Sequence, residues 1–308
     1  MNKKNILSII ICTYNRDKYL YNCMKSIAEN DFPISDYEIV LINNNSTDKT
    51  EKECGRFRQD FPQVQLLYFV ETSQGLSYAR NRGIAEAKGD ILVYVDDDAT
   101  VNKLYLKTIS DFFNGNAEVY AAGGPIIPVY ETEEPSWMSH YTRILIATYK
   151  FKGHKIIPFK NGDFPGGGNA AYRKVVFERT GFFNPELGRK GTSLAGAEEK
   201  SIFDKMRQLN MPVFYLPNMI LYHIIAPAKL TKAYFNRLTF SMGQSERLRT
   251  LSISRFKYFK RLVSEAVKWA ATLLLFAVYL VRLQPEKGQK LVLFRWNVTR
   301  GLCGMKTN

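Results

Sequence analysis

The stretch "DILVYVDDDATV", residues 90–101, decides how the chain is read. Ile91 to Val95 is a continuous apolar run of the length of a strand buried on both faces. Three aspartates, Asp96, Asp97 and Asp98, follow without a break. Like charges at the mouth of an apolar strand repel one another. Either water solvates them in a plain turn, or a positive group lies among them.

Working outward, "ILSIIIC" (6–12), "YEIVLI" (37–42) and "VQLLYFV" (64–70) are further strand-length apolar runs. Between them, "RDKYLYNCMKSIAEN" carries Tyr19, Leu20, Cys23, Met24 and Ile27 at helical spacing. "NNNSTDKTEKECGRFRQDF" opens on capping residues and continues as a helix, and "GLSYARNRGIAEAKGD" is a helix ended by Gly89. This alternation predicts right-handed βαβ units around a mostly parallel sheet. Ligands bind such sheets beyond the carboxyl ends of the strands. The informative residues are therefore Thr13-Tyr14-Asn15, Asn43-Asn44-Asn45, Glu71 and Asp96-Asp97-Asp98. Carboxylates at i and i+2 in that position suit Mg²⁺ or Mn²⁺, which take one or two carboxylates together with phosphate oxygens.

Beyond Asp98, "LYLKTISDFFNG" reads as a helix and "VYAAGGPI" as a strand, and residues 130–165 read as irregular. "FPGGGNAAYRKVVFERTGFFNP" gives a glycine-rich turn and a short helix. "NPELGRKGTSLAG" is a loop, "AEEKSIFDKMRQLN" a helix, and "VFYLPNMILYH" a strand pair broken at Pro217. There is no GxxxxGK[ST] loop and no GxGxxG after the first strand, so a P-loop NTPase and a Rossmann dehydrogenase are poor fits. Cys12, Cys23, Cys54 and Cys303 form no CxxC pair, which argues against a zinc site or a disulfide framework. The short apolar run near the N-terminus lacks the pattern of a signal peptide.

"SIIICTYNR", "VLINNNSTDKT", "GLSYARNRGIAEAKGDILVYVDDDA", "GGGNAAYRK" and "AEEKSIF", in that order, resemble the successive signatures of family 2 glycosyltransferases with the GT-A fold. The resemblance covers roughly Ile6 to His223. It implies a Rossmann-like, mostly parallel sheet flanked by helices, and an inverting transfer from a nucleoside-diphosphate sugar to an acceptor hydroxyl. Thr13 and Tyr14 would line the base pocket. Asn43 stands where the family usually has an aspartate, so the base preference is left open. Asp48 matches a later position of that motif, with an acid in a first helical turn as the simpler reading. Arg80 matches an arginine near the nucleotide, the alternative being a solvated helix face. Asp96 opens the DxD motif, Asp97 would hold the ribose, Asp98 the metal, and His223 would complete the metal site. Glu198 and Glu199 fill the place of the catalytic acidic pair, with Glu199 the general base; the alternative is a pair that favours the helix dipole. Gly167, Gly168 and Asn169 would let the backbone approach the sugar and the acceptor, or form only a tight turn.

The net charge of +14 is unevenly placed. Residues 229–308 hold 16 Lys and Arg against 3 Asp and Glu, whereas residues 1–228 are nearly balanced. This divides the chain into a transferase domain, 1–228, and a helical basic region, 229–308, that contains the apolar run "AVKWAATLLLFAVYLVRL" (266–283). A basic segment with such a run suits an anionic cytoplasmic membrane face, by spanning, re-entering or docking, with a core helix as the plain alternative and no nucleic acid required. The expected partners are a sugar nucleotide and a saccharide or lipid-linked acceptor, in surface polysaccharide synthesis at the inner face of the cell membrane. A nucleotidyltransferase would need a phosphate-gripping loop that "CTYNRDKY" lacks. A non-enzymatic membrane or nucleic-acid binder would have no use for Asp97, Asp98 and Glu199 together.

Overall fold

The computed structural model describes residues 6–146, 151–160, 162–191, 194 and 196–305. The first half alternates as expected: β1 (Leu7–Thr13), α1 (Asp17–Ala28), β2 (Tyr37–Asn43), α2 (Thr50–Asp60), β3 (Leu66–Val70), α3 (Leu76–Glu86) and β4 (Ile91–Val95). The chain continues through β5 (Ala99–Val101), α4 (Tyr105–Gly115), β6 (Ala121–Gly123), β7 (Ile126–Tyr130), α5 (His140–Ile146), β8 (Ile157–Pro158), β9 (Asn169–Arg173) and α6 (Val175–Thr180). It closes with α7 (Glu198–Gln208), β10 (Val213–Tyr215), β11 (Leu221–Ile225), α8 (Lys232–Ile253), α9 (Arg255–Val281) and α10 (Pro285–Leu302).

One sheet of eight strands has the order β3-β2-β1-β4-β9-β6-β10-β8, and a second of three has the order β5-β11-β7. The block from β3 to β4 is parallel, while β9 runs antiparallel to both β4 and β6. Chain order runs outward from β1 to β3 and then jumps back to β4 on the other side of β1, so the topological switch point lies between β1 and β4. That is where a crevice opens at the carboxyl ends of strands.

Alternate residues of β1 explain its unbroken apolar sequence. Leu7, Ile9 and Ile11 pack with Leu20, Met24 and Ile27 of α1 and with Leu106 and Ile109 of α4. Ile10, on the other face, joins Ala79 and Ile84 of α3 and Ile202 and Met206 of α7. A strand covered on both faces cannot alternate with polar residues. The exception, Ser8, is buried near the amino end of β1, donates to Glu38 Oε1 at 2.7 Å and accepts from Gly89 N at 2.8 Å.

The chain divides into two units. The first comprises Met1–Val129, Thr148–Pro185 and Glu199–Ile224. The second joins Ile225–Asn308 with Tyr130–Ala147 and Glu186–Glu198, so a single cut at residue 228 does not describe it. The reason is apolar: Met138 and Ile146, in and beside α5, cluster with Phe235 and Leu238 of α8, with Trp137 packed alongside. Helix α5 also departs from the expectation of irregular chain over residues 130–165. The strand expected in "VYAAGGPI" is two, β6 and β7, interrupted at Gly124-Pro125. The loop expected at 184–196 has neither helix nor strand among its described residues; Thr192, Ser193 and Ala195 lie outside them.

Candidate functional site

Strand β4 ends at Val95, and Asp96–Asp98 turn directly into β5. The turn is closed by Ala99 N donating to Asp96 O at 3.2 Å. The β5–β11 register pairs Ala99 with His223, which fixes His223 beside Asp98. Its Nε2 lies 3.3 Å from Asp98 Oδ1, and Ile224 N donates to the Asp98 carbonyl at 2.9 Å. On the other side Arg16, three residues past the end of β1, donates from Nη1 to Asp98 Oδ2 at 3.1 Å. A positive group does lie among the aspartates. The sequence signal was present, a cation just after the strand in "TYNR", but Arg16 was not among the expected site residues.

Asp97 is partly buried, and its carboxyl is pushed up to about 7, by burial first and by the Asp98 charge second, with Arg16 opposing both. A second cation brought to this turn would relieve that repulsion. Thr13 Oγ1, at the end of β1, is buried, and its hydroxyl lies beside the Asp97 carboxyl and favours its charged form. Tyr14 beside it is exposed.

The β4–β9 register pairs Val95 with Asn169, so the turn Gly166–Gly168 must lie against Asp96. A Cβ at Gly168 would fall 2.0 Å from Asp96 Oδ2, and one at Gly167 would fall 1.7 Å from Glu199 Oε1. Two consecutive residues, about 3.8 Å apart at Cα, thus lie against Asp96 on one side and Glu199 on the other. Glu199 is the second residue of α7, and its Oε1 lies 2.7 Å from Arg80 Nη1. Arg80 is only 3% exposed, which removes the solvated-face alternative, and it lies near the rings of Tyr94 and Phe183 at 5.6 and 5.4 Å. Its Nη1 thus pairs with Glu199, the candidate base. Glu198 is the first residue of α7 and is buried.

Two expected ligands have their side chains engaged within the fold. Asn169 donates from Nδ2 to the carbonyls of Pro125 and Met219 at 2.9 and 3.0 Å and accepts from Tyr105 OH at 2.7 Å. It is fully buried, so only its backbone faces the turn. Asn43 accepts from Ser46 N and donates to Tyr68 OH, both at 2.8 Å. Asp48 follows the simpler reading: it accepts from Thr50 N at 3.0 Å and from Asp17 N at 2.9 Å, bracing the starts of α2 and α1. Cys12, close to Asp96 and Asp97, has its thiol pushed up to about 12 by burial, so it is no thiolate nucleophile at neutral pH.

Among the described residues no group of three or more His, Cys, Asp or Glu converges as a complete metal shell. Asp98 and His223 supply one carboxylate and one imidazole side by side, both buried. That donor set fits Mn²⁺ or Mg²⁺ if ligand oxygens complete the shell.

Comparison with known proteins gives the family and the fold. The family described as Glycosyl transferase family 2 matches residues 8–181. The glucosyl-dolichyl phosphate glucuronosyltransferase of Haloferax volcanii is 24% identical over 201 residues, 64% of this chain and 61% of that protein. The poly(ribitol-phosphate) β-N-acetylglucosaminyltransferase TarS of Staphylococcus aureus is 31% identical over 107 residues, 35% of this chain and 18% of that protein. The match thus spans less than two thirds of either relative. Among solved structures, the mannosyltransferase PcManGT from Pyrobaculum calidifontis in complex with GDP-Man and Mn²⁺ aligns with a TM-score of 0.63 at 17% identity, covering 99% of this chain and 89% of that one. S. aureus TarS 1–349 in complex with UDP-GlcNAc aligns with a TM-score of 0.52 at 16% identity, covering 98% and 93%. At such identities the structures establish the shared fold.

The glycine turn gives a direct test of the packing. Gly167→Ala and Gly168→Ala should each lower stability by about 1–3 kcal/mol, the usual cost of forcing atoms into a filled site. Gly55→Ala, within α2 and with nothing inside 4 Å of the added Cβ, should instead be neutral or raise stability by about 0.5–1 kcal/mol. Urea midpoints of the three variants measure both signs.

Proposed function

The chain belongs to glycosyl transferase family 2 and is a glycosyltransferase, and we propose that it moves a sugar from a nucleoside diphosphate to an acceptor hydroxyl in one inverting, metal-assisted displacement. The observation that supports this reading is the close approach of Gly167 to Glu199 and of Gly168 to Asp96, so that the residues read as the base and as the cation-binding turn flank adjacent glycines.

In this reading Glu199 takes the proton of the acceptor hydroxyl. The acceptor oxygen bonds to the anomeric carbon as the bond from that carbon to the diphosphate oxygen breaks, and the nucleoside diphosphate leaves with the electron pair. Arg80 orients the Glu199 carboxylate through the 2.7 Å contact. Asp98 and His223 would hold a divalent cation, which as a Lewis acid stabilises the charge of the leaving diphosphate. Asp96, Asp97 and the Thr13 hydroxyl face the ribose and phosphates, and Tyr14 the base. Nothing in this sequence of events needs a second nucleophilic carboxylate, and the Cys12 thiol is too weakly acidic to serve. The relatives named above act on a lipid-linked glycan and on a poly(ribitol-phosphate), which supports a lipid-linked or polymeric acceptor, a role in surface polysaccharide synthesis and work at the cytoplasmic face of the membrane. The neighbours' donors carry guanine in one case and uracil in the other, so a panel of sugar nucleotides decides the base.

Asp98→Ala should abolish Mn²⁺-dependent binding of UDP or GDP while thermal unfolding stays cooperative. Calorimetric titration reads this out, and unchanged affinity in the folded variant would remove Asp98 from the metal site.

Glu199→Gln keeps shape and removes basicity. Transfer should fall by about a hundredfold or more, the scale of general-base loss, with donor affinity retained. Near-normal turnover on the true acceptor would put the base elsewhere.

A further inference from the structure

Helix α9 is the most apolar of the described helices and is largely exposed, with Leu273 and Leu280 about half exposed and its few buried residues on one side. Val263, Val267, Leu274, Val278 and Val281 are 44–85% exposed. At 100° per residue they fall within about 60° of one another. Glu265 and Thr272, on the opposite side, are buried. There Glu265 accepts from Arg261 Nη1 at 2.6 Å and from Arg295 Nη1 of α10 at 3.0 Å. Burial alone would push its carboxyl up, but the two guanidiniums outweigh it and hold it below the usual range. Trp269 Nε1 donates to Thr299 Oγ1 at 2.9 Å, and Tyr258 OH to Leu302 O at 2.9 Å. Low numbers on α9 meet high numbers on α10, so the two helices form an antiparallel hairpin.

By length and composition α9 could cross a membrane. Its partner could not follow without cost. Helix α10 carries Lys287, Lys290, Arg295 and Arg300, and the pairs above tie it alongside α9. A spanning α9 would carry those charges to the depth of the hydrocarbon, where Lys and Arg are expensive. Lying in the interface requires no such burial. The exposed stripe meets acyl chains while the charged spine faces protein. Arg255, Lys257 and Lys260 at one end and Arg282 at the other flank the stripe with positive charge.

We propose that α9 is an in-plane membrane anchor: its Val263–Val281 face inserts into an anionic phospholipid surface, and the flanking cations bind the headgroups. This deepens the membrane-face reading above by naming the surface and its partner, and it stands or falls separately from the catalytic assignment.

The test uses the full chain with vesicles of phosphatidylcholine alone or mixed with phosphatidylglycerol. Sedimentation should show binding to the mixed vesicles and little to the neutral ones. Binding should weaken as salt rises from about 0.1 to about 1 M, because the Debye length falls from about 10 to about 3 Å. The double variant Val267→Glu, Leu274→Glu should lose at least about tenfold in vesicle affinity. Both residues are more than half exposed, so its circular dichroism, melting temperature and Mn²⁺-dependent UDP or GDP binding should match the parent; Val267→Ser, Leu274→Ser serves if the charged pair disturbs folding. Salt-resistant association released only by detergent would overturn the proposal in favour of a span. So would a dimer of the parent chain that the variant abolishes without any vesicle binding, which would assign the stripe to a second copy. Absence of vesicle binding, or equal binding by the variant, would overturn it outright.

Discussion

Asp98 lies between the Arg16 guanidinium and the His223 imidazole, at 3.1 and 3.3 Å, and the surrounding fold holds all three. Placing three carboxylates on consecutive residues is unfavourable. The raised pKa of Asp97, at about 7 from burial and from its neighbour's charge, records that conflict. Three separate strands help resolve it: β1 delivers Arg16, β4 delivers the aspartates, and β11 delivers His223 through its register with β5. The switch in strand order between β1 and β4 places this concentration of charge where a ligand can reach it. Excess negative charge held in this way is what the proposed cation would neutralise.

The same logic explains the glycines. Antiparallel pairing of β9 with β4 brings a turn directly onto Asp96, and the N-terminal turn of α7 brings Glu199 onto the preceding residue. Side chains at 167 and 168 would occupy the volume that the carboxylates use. Two carboxylates from segments about a hundred residues apart in sequence therefore sit against adjacent glycines.

Local features were legible in the sequence because they rest on local physics. The Ile91–Val95 strand, the apolar runs of β1 and β2 and the breaks at Gly89 and Pro217 follow from periodicity and backbone preference. The acidic turn could be recognised from its place after a central strand. What the sequence concealed were partnerships across the fold. Nothing local says that the Asn169 amide ties together two carbonyls and Tyr105, leaving its backbone for the turn. Arg80 matches a family position, but its pairing with Glu199 appears only in the fold. Arg16 passes unnoticed because nothing local says that its side chain turns back to Asp98. Helix α5 is short and aromatic-flanked, and its place with α8 is set by packing among Met138, Ile146 and Phe235, which sequence separation hides.

The most direct test of the central claim is the position of the metal when donor product is present. Crystals grown or soaked with Mn²⁺ and UDP or GDP should show an anomalous peak within coordination distance of Asp98 and His223, with phosphate oxygens completing the shell and Arg16 no longer the closest cation to Asp98. Nucleotide bound with no such peak, or a peak held by other residues, would contradict the assignment of the β4 turn as the cation-binding centre.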